Sequence, residues 1–416
     1  MDPSQALDAE VDVVVEAGRI TRIGPAAAQG IGADARTVPG AGLLLLPGLV
    51  EVHAHLREPG FEHKEDIETG LRAAAAGGYA HVCAMPNTRP VNDSPEVTAL
   101  MIERARQVGG PRLHPVAAVT LGLAGERVSD MAALRAAGAV AFSDDGRCVM
   151  SGAVMRAALQ RARELGTVVI QHAEDHSMTG GSVMHEGEVS RRLGVQGWPR
   201  EAEDCIIARD LSLVACTGAR YHVAHVSTAG AVRLIREARD RGLPVTAEAA
   251  PHHLLWTHEQ VARDGAACKV NPPLREPQDV QAVVGALADG TIDCVATDHA
   301  PHAEQEKGLG LDKAPPGMIG IELCLSLMMS LVNSGALRLE RLVDALTARP
   351  ARVIGIDAPC LRAGAPADLC VFDPGRRWVL EAGALHSKSK NTPLLGRTMQ
   401  GRVQLSMVGG RIVHEA

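Results

Sequence analysis

The stretch Leu43-Leu44-Leu45-Leu46-Pro47-Gly48-Leu49-Val50-Glu51-Val52-His53-Ala54-His55-Leu56-Arg57 decides how this chain is read. Its largely apolar run, Leu43–Val52, ends in two histidines two residues apart. Residues two apart share a face of a strand. His53 and His55 therefore present two imidazoles side by side, as two ligands of one metal ion would. Arg57 continues the alternation and would meet an anion beside that metal. Two ordinary histidines near a strand end would look the same, so the metal reading needs further ligands elsewhere.

Outward from this stretch, short apolar runs alternate with longer helical patterns. The candidate strands are Leu49–His53, Ala80–Ala84, Leu113–Val119, Ala139–Phe142, Val168–His172, Tyr221–His225, Pro244–Glu248 and Asp293–Thr297. Between them apolar residues fall at helical spacing, as in Ala231, Leu234, Ile235 and Ala238. Repeated βα units of this number predict an α/β fold, a (β/α)8 barrel. The ends of the chain differ. Val11–Val15 and Arg19–Ile23 read as strands around a turn at Ala17-Gly18. Ala367–Phe372, Val403–Val408 and Arg411–Val413 read likewise, with Gly409-Gly410 as a hairpin turn. Neither end can bury itself alone. Residues 1–47 and 350–416 are expected to pair into one small flanking β-domain beside a catalytic barrel of residues 48–349.

Composition narrows the class. With 46% hydrophobic and 22% charged residues, the chain reads as a soluble globular protein. No apolar run approaches the roughly 18–20 residues of a membrane span. The start, Met1-Asp2-Pro3-Ser4-Gln5, shows no basic or apolar leader, which points to the cytoplasm. A net charge of −7 without a long basic block argues against nucleic acid, and three Trp, two Tyr and three Phe offer little stacking surface. Nine cysteines without a CxxC pair read as buried free thiols in a reducing compartment.

The polar residues fall where the strands end: His53 and His55; Met85-Pro86-Asn87-Thr88; Ser143-Asp144-Asp145-Gly146; Gln171-His172-Ala173-Glu174; His225-Val226-Ser227-Thr228; and Asp298-His299-Ala300-Pro301-His302. In a barrel all C-terminal strand ends meet on one face, where active sites are built. Four histidines and two aspartates exceed the needs of one tetrahedral zinc and suit two metals sharing a bridge. Of Asp144 and Asp145, one is expected to face inward and one to hold a turn. His81, His114 and His222 lie within strands and read as structural. His252 and His253 could line the site without being ligands.

At this point Pro47–Gly60, Lys64-Glu65-Asp66, Met85–Thr88, Glu186-Gly187, Lys269–Arg275 and Ala296–His302 together resemble dihydroorotases of the cyclic amidohydrolase superfamily. The segments occur in order through almost the whole chain. The likeness is greatest to the bacterial type I branch, in which an aspartate replaces the carboxylated lysine that bridges the metals in other members. Asp145 takes that position here, and Ala139–Gly146 contains no lysine. The resemblance implies a (β/α)8 barrel with a small β-domain from both termini. It implies two Zn2+ per subunit, bridged by Asp145 and a hydroxide. His53 and His55 with Asp298 would hold one, and His172 and His225 the other. His55, Arg57, Asn87, Asn271 and His302 would bind substrate under a closing loop at Pro316-Gly317. Asp298 would be general base, then acid.

The implied reaction is reversible hydrolysis of (S)-dihydroorotate to N-carbamoyl-L-aspartate in de novo pyrimidine biosynthesis. Arg57 offers a planar fork for the ring carboxylate, which a plain dihydropyrimidine lacks. A hydantoinase or dihydropyrimidinase is the related alternative. A non-catalytic partner of aspartate carbamoyltransferase is the other, although such proteins generally lose metal ligands. A homodimer and association with aspartate carbamoyltransferase stay open as partners. Three positions depart from the family pattern: Glu51 stands where aspartate is usual, Ala314-Pro315-Pro316-Gly317 has proline where an aromatic is common, and Met1–Gln5 is normally preceded by one more strand.

Overall fold

The computed structural model describes residues 1–416. Eight parallel strands follow one another in space as they do in sequence: Leu49–Ala54, Tyr79–Ala84, Arg112–Ala117, Ala141–Ser143, Val168–Gln171, Arg220–Val223, Val245–Ala249 and Cys294–Val295. The eighth meets the first: Ala54 bridges to His299, and the His55 N–H donates to the His299 carbonyl at 2.9 Å. With helices outside, this is a (β/α)8 barrel. Strands covered on both faces need apolar residues at successive positions, and Leu49–Ala54 is buried throughout. Val50, Val52, Ile170 and Ala296 fill the interior, while a larger cluster lies between strands and helices.

Strand 8 is shorter than the expected Asp293–Thr297. The Glu51 carboxylate explains why: it takes the Thr297 N–H at 3.0 and 3.1 Å, so a side chain closes this part of the seam. The helix expected from Ala231 spacing forms over Ala229–Asp240. Thr228 caps it, its hydroxyl accepting from the Ala231 N–H at 2.9 Å, and Ala231, Ile235 and Ala238 face the core.

Leu44–Pro47 pairs antiparallel with Leu369–Val379, which continues through Thr398–Val408 to Arg411–Glu415 in one four-stranded sheet. The hairpin of Asp12–Glu16 and Arg19–Gly24 touches this region through an Arg19–Pro366 bridge. The expected division between 349 and 350 falls inside the helix Ala348–Ile354, whose Ala351, Val353 and Ile354 pack into the barrel interior. No helix is long and apolar enough to cross a membrane. All nine cysteines are free. Six are buried as expected, but Cys205 and Cys216 are exposed and Cys360 is half-buried.

Candidate active site

His53 ends strand 1 but one, and Asp145, His172, His225 and Asp298 lie one to three residues past their strands. They converge around one carboxylate. Asp145 Oδ1 is 3.2 Å from His53 Nε2, 3.5 Å from His225 Nε2 and 3.6 Å from His172 Nδ1, and its Oδ2 is 3.3 Å from His55 Nε2. Asp298 Oδ1 is 3.2 Å from His55 Nε2 and 3.8 Å from His53 Nε2. Buried polar atoms are normally paired, because leaving one unpaired costs about 1–3 kcal/mol. His53 Nε2 and Asp145 Oδ1 are buried without a hydrogen-bond partner, facing each other. Two groups here, His53–His55–Asp298 and His53–Asp145–His225, have donor atoms close enough to hold a metal ion. The donor set fits such an ion.

The far nitrogens of three imidazoles are held. His53 Nδ1 lies 2.6 Å from Glu248 Oε1, His172 Nε2 lies 3.0 Å from Glu174 Oε2, and His55 Nδ1 lies 2.9 Å from Asn87 Oδ1. An acceptor there fixes the proton on that nitrogen and leaves the lone pair on the other, which points inward. The second Glu248 oxygen meets His222 Nε2 at 3.0 Å, and His222 Nδ1 meets the Thr246 hydroxyl at 2.8 Å. Burial pushes Glu248 up, but His53 and His222 outweigh it and hold the carboxylate at about 2. Sequence reasoning missed Glu248 and Glu174. Each stood at a strand end, yet only its pairing with a histidine in space reveals its role.

Glu51 is no ligand. It accepts from the His53 N–H at 2.8 Å as well as from Thr297, and burial pushes it up to about 8. The aspartate pair divides as expected: Asp144 accepts from the Thr120 N–H at 2.9 Å and from its hydroxyl, and Asp145 faces inward. His252 lies beside Asp298 with its Nε2 unpartnered, while His253 Nε2 meets the Pro272 carbonyl at 2.9 Å.

The expected substrate group also gathers at the mouth. Arg57 does not continue the strand alternation, because its φ of 62° turns the chain into the left-handed region. Its guanidinium still arrives: Nε donates to the Pro301 carbonyl at 3.1 Å and Nη2 lies 3.3 Å from His302 Nε2. Burial, then the charges of Arg57, Lys64 and Lys307, hold His302 down at about 2, so it is neutral. Lys64 Nζ, 3.4 Å from His302 Nδ1, can only donate. The Pro316 carbonyl, the shortest contact at 2.9 Å from Nε2, can only accept, so the ring proton sits on Nε2 and goes to it. His302 thus grips the loop. Gly317, at φ 133°, leaves no room for a side chain: a Cβ there would lie 2.7 Å from Ala300 Cβ. Asn271 donates through Nδ2 to Glu174 at 3.2 Å, so Asn87 orients a histidine directly and Asn271 touches the group that orients another.

A (β/α)8 barrel that collects imidazoles and carboxylates at its C-terminal mouth, beside a buried arginine, has the makings of an amidohydrolase. Residues 42–231 match the family model described as Dihydro-orotase-like. The chain is 49% identical to a dihydroorotase of Anaeromyxobacter dehalogenans, across 100% of this chain and 96% of that protein. It is 46% identical to one of Geotalea daltonii (100% and 97% covered) and 45% identical to one of Trichlorobacter lovleyi (99% and 97%). Among solved structures it resembles the L-hydantoinase (dihydropyrimidinase) of Arthrobacter aurescens, with TM-score 0.86 and 26% identity over 98% of this chain and 93% of that one. The dihydropyrimidinase of Brevibacillus agri gives TM-score 0.84 and 25% identity over 98% and 92%. The chain belongs to the dihydroorotase family.

Proposed function

We propose that this chain interconverts (S)-dihydroorotate and N-carbamoyl-L-aspartate, a step of pyrimidine synthesis, using two zinc ions. One would be held by His53, His55 and Asp298, the other by His172 and His225, with Asp145 shared. The observation that carries this reading is the pair of buried, unpartnered atoms, His53 Nε2 and Asp145 Oδ1, 3.2 Å apart at the hub of the four imidazoles. When bound, such a metal pair activates water at neutral pH and polarises an amide carbonyl.

The rest is the work of this chain's own groups. Asp298 takes the proton of the attacking water and delivers it to the leaving ring nitrogen, as base and then acid. Arg57 receives the ring carboxylate as a fixed cation. Asn87 and Asn271 orient the ring, and His302 keeps Pro316 and Gly317 over it, which excludes bulk water.

The solved neighbours favour a hydantoinase reading, since they carry that description. Against it stand relatives named dihydroorotase at 45–49% identity over the whole chain, and Asp145 in place of a bridging lysine. Assay of dihydroorotate and dihydropyrimidines on one preparation, with metal analysis, separates the readings. Turnover of dihydroorotate with close to two zinc per chain is expected. Turnover of dihydropyrimidines alone would favour the hydantoinase, and absence of both metal and activity a non-catalytic partner.

A further inference from the structure

The loop over the site contains Pro315 and Pro316, which have no N–H to donate. It is held by donors from elsewhere. Lys307 Nζ lies 3.0 Å from the Pro315 carbonyl, 3.0 Å from the Gly317 carbonyl and 3.4 Å from the Lys269 carbonyl. An ammonium has three N–H donors, and each finds a carbonyl here. Lys269 Nζ donates to the carbonyls of Leu311 and Asp312 at 2.8 and 3.0 Å, and its own carbonyl accepts from the Gly317 N–H at 2.8 Å. The stitches join residues 311–317 to the segment leading into Asn271.

Lys307 is half-buried, and no carboxylate pairs with it. Removing an unneutralised cation from water is costly, and a neutral amide, with two N–H donors, would reach at most two of the three carbonyls. Two of the carbonyls that Lys307 holds flank that of Pro316, which His302 grips at 2.9 Å, and His302 lies 3.3 Å from the Arg57 guanidinium, so the Lys307 charge sits on the loop beside the place where a carboxylated ring would sit.

We propose that Lys307 is a positioning residue for the substrate loop: its ammonium holds Pro315–Gly317 in the closed geometry, and its uncompensated charge favours closure over an anionic ring. The inference rests on the reading that Pro316 and Gly317 contact substrate. The test uses the full chain loaded with zinc and compares Lys307→Met, Lys307→Arg and Lys307→Gln for KM and kcat on dihydroorotate. Trypsin cleavage after the exposed Lys313 reports the loop directly.

Loss of a charged three-way anchor should raise KM about tenfold in Lys307→Met, with kcat within about threefold. Cleavage at Lys313 should become faster. Lys307→Arg, which keeps charge and donors, should stay within about threefold of the parent KM. Lys307→Gln should fall between, and it serves in place of the methionine variant if that one does not fold. A KM within about twofold of the parent in Lys307→Met or Lys307→Gln overturns the proposal, provided Arg57→Met raises KM, as the substrate reading requires. Unchanged KM in Arg57→Met as well would overturn that reading together with the proposal. A fall in kcat with unchanged KM would mark Lys307 as a structural group only.

Discussion

The two ends of the barrel both hold clustered histidines, and they use them oppositely. At the floor, His81 Nδ1 meets His114 Nε2 at 2.8 Å, and their rings stack. Asp368, from the flanking sheet, accepts from Arg112 at 2.7 Å and from the Gly409 N–H at 2.7 Å. These groups satisfy one another and bind the sheet to the barrel. At the mouth the far nitrogens are held by Glu248, Glu174 and Asn87, while the inward His53 Nε2 and Asp145 Oδ1 have no partner. A histidine cluster that closes on itself is structural. One held from behind and open in front is built for something that comes and goes.

Substitutions at each end should therefore fail in different ways. The largest effect belongs to Asp298→Ala at the mouth. Its kcat should drop by about 10³-fold with the thermal midpoint nearly unchanged, in keeping with loss of a general base; near-normal turnover would remove Asp298 from the mechanism. Asp145→Ala should lose most activity together with bound zinc, read by metal analysis of the purified protein. Glu248→Gln keeps the shape but offers His53 a weaker acceptor. Zinc affinity should fall about 10- to 100-fold in competition with a chelator, while the circular dichroism spectrum stays that of the parent.

The smallest functional effect is expected at the floor. Asp368→Asn should leave kcat within about twofold yet lower the unfolding free energy by about 1–3 kcal/mol, since its hydrogen bonds involve charged partners. Burial pushes Asp368 up, but His81 and Arg112 outweigh it and hold it at about 2. A depressed carboxylate contributes stability above its unfolded value near 3.8 and loses it as pH falls through the folded value. The stability lost between about pH 4 and 2 should thus shrink in Asp368→Asn, as measured by denaturant unfolding across that range. If Asp368→Asn instead impaired turnover and spared stability, the contrast between the two ends would collapse.

Position within a strand made this contrast partly legible beforehand. His81 and Arg112 lie near strand starts, whereas the inward-facing histidines and aspartates lie at strand ends, and direction alone assigns starts to one face and ends to the other. The eight strands were readable because barrel strands are apolar on both faces. Their ends were less so, since strand 8 stops at Val295 where the Glu51 side chain takes the Thr297 N–H. Glu248 was beyond reach because its role depends on His222 of the neighbouring strand, and register between strands leaves no local mark. The lysine stitches were hidden for the same reason: Lys307 acts on carbonyls, which every residue has. The one residue of the opening stretch that departs from the family pattern, Glu51, proved to join strands rather than to touch the centre.

That residue ties chain topology to chemistry. Glu51 and Thr297 are 246 residues apart, and the same carboxylate that spans them also holds the backbone of His53. Contacts of such sequence separation form late, because loop closure must come before they can contribute. The carboxylate that holds the His53 backbone is thus itself held by the last strand, beside Asp298. Competence of the centre is therefore a property of the completed circle, and a chain released short of Thr297 would hold five of the six grouped side chains without the arrangement that makes them a site.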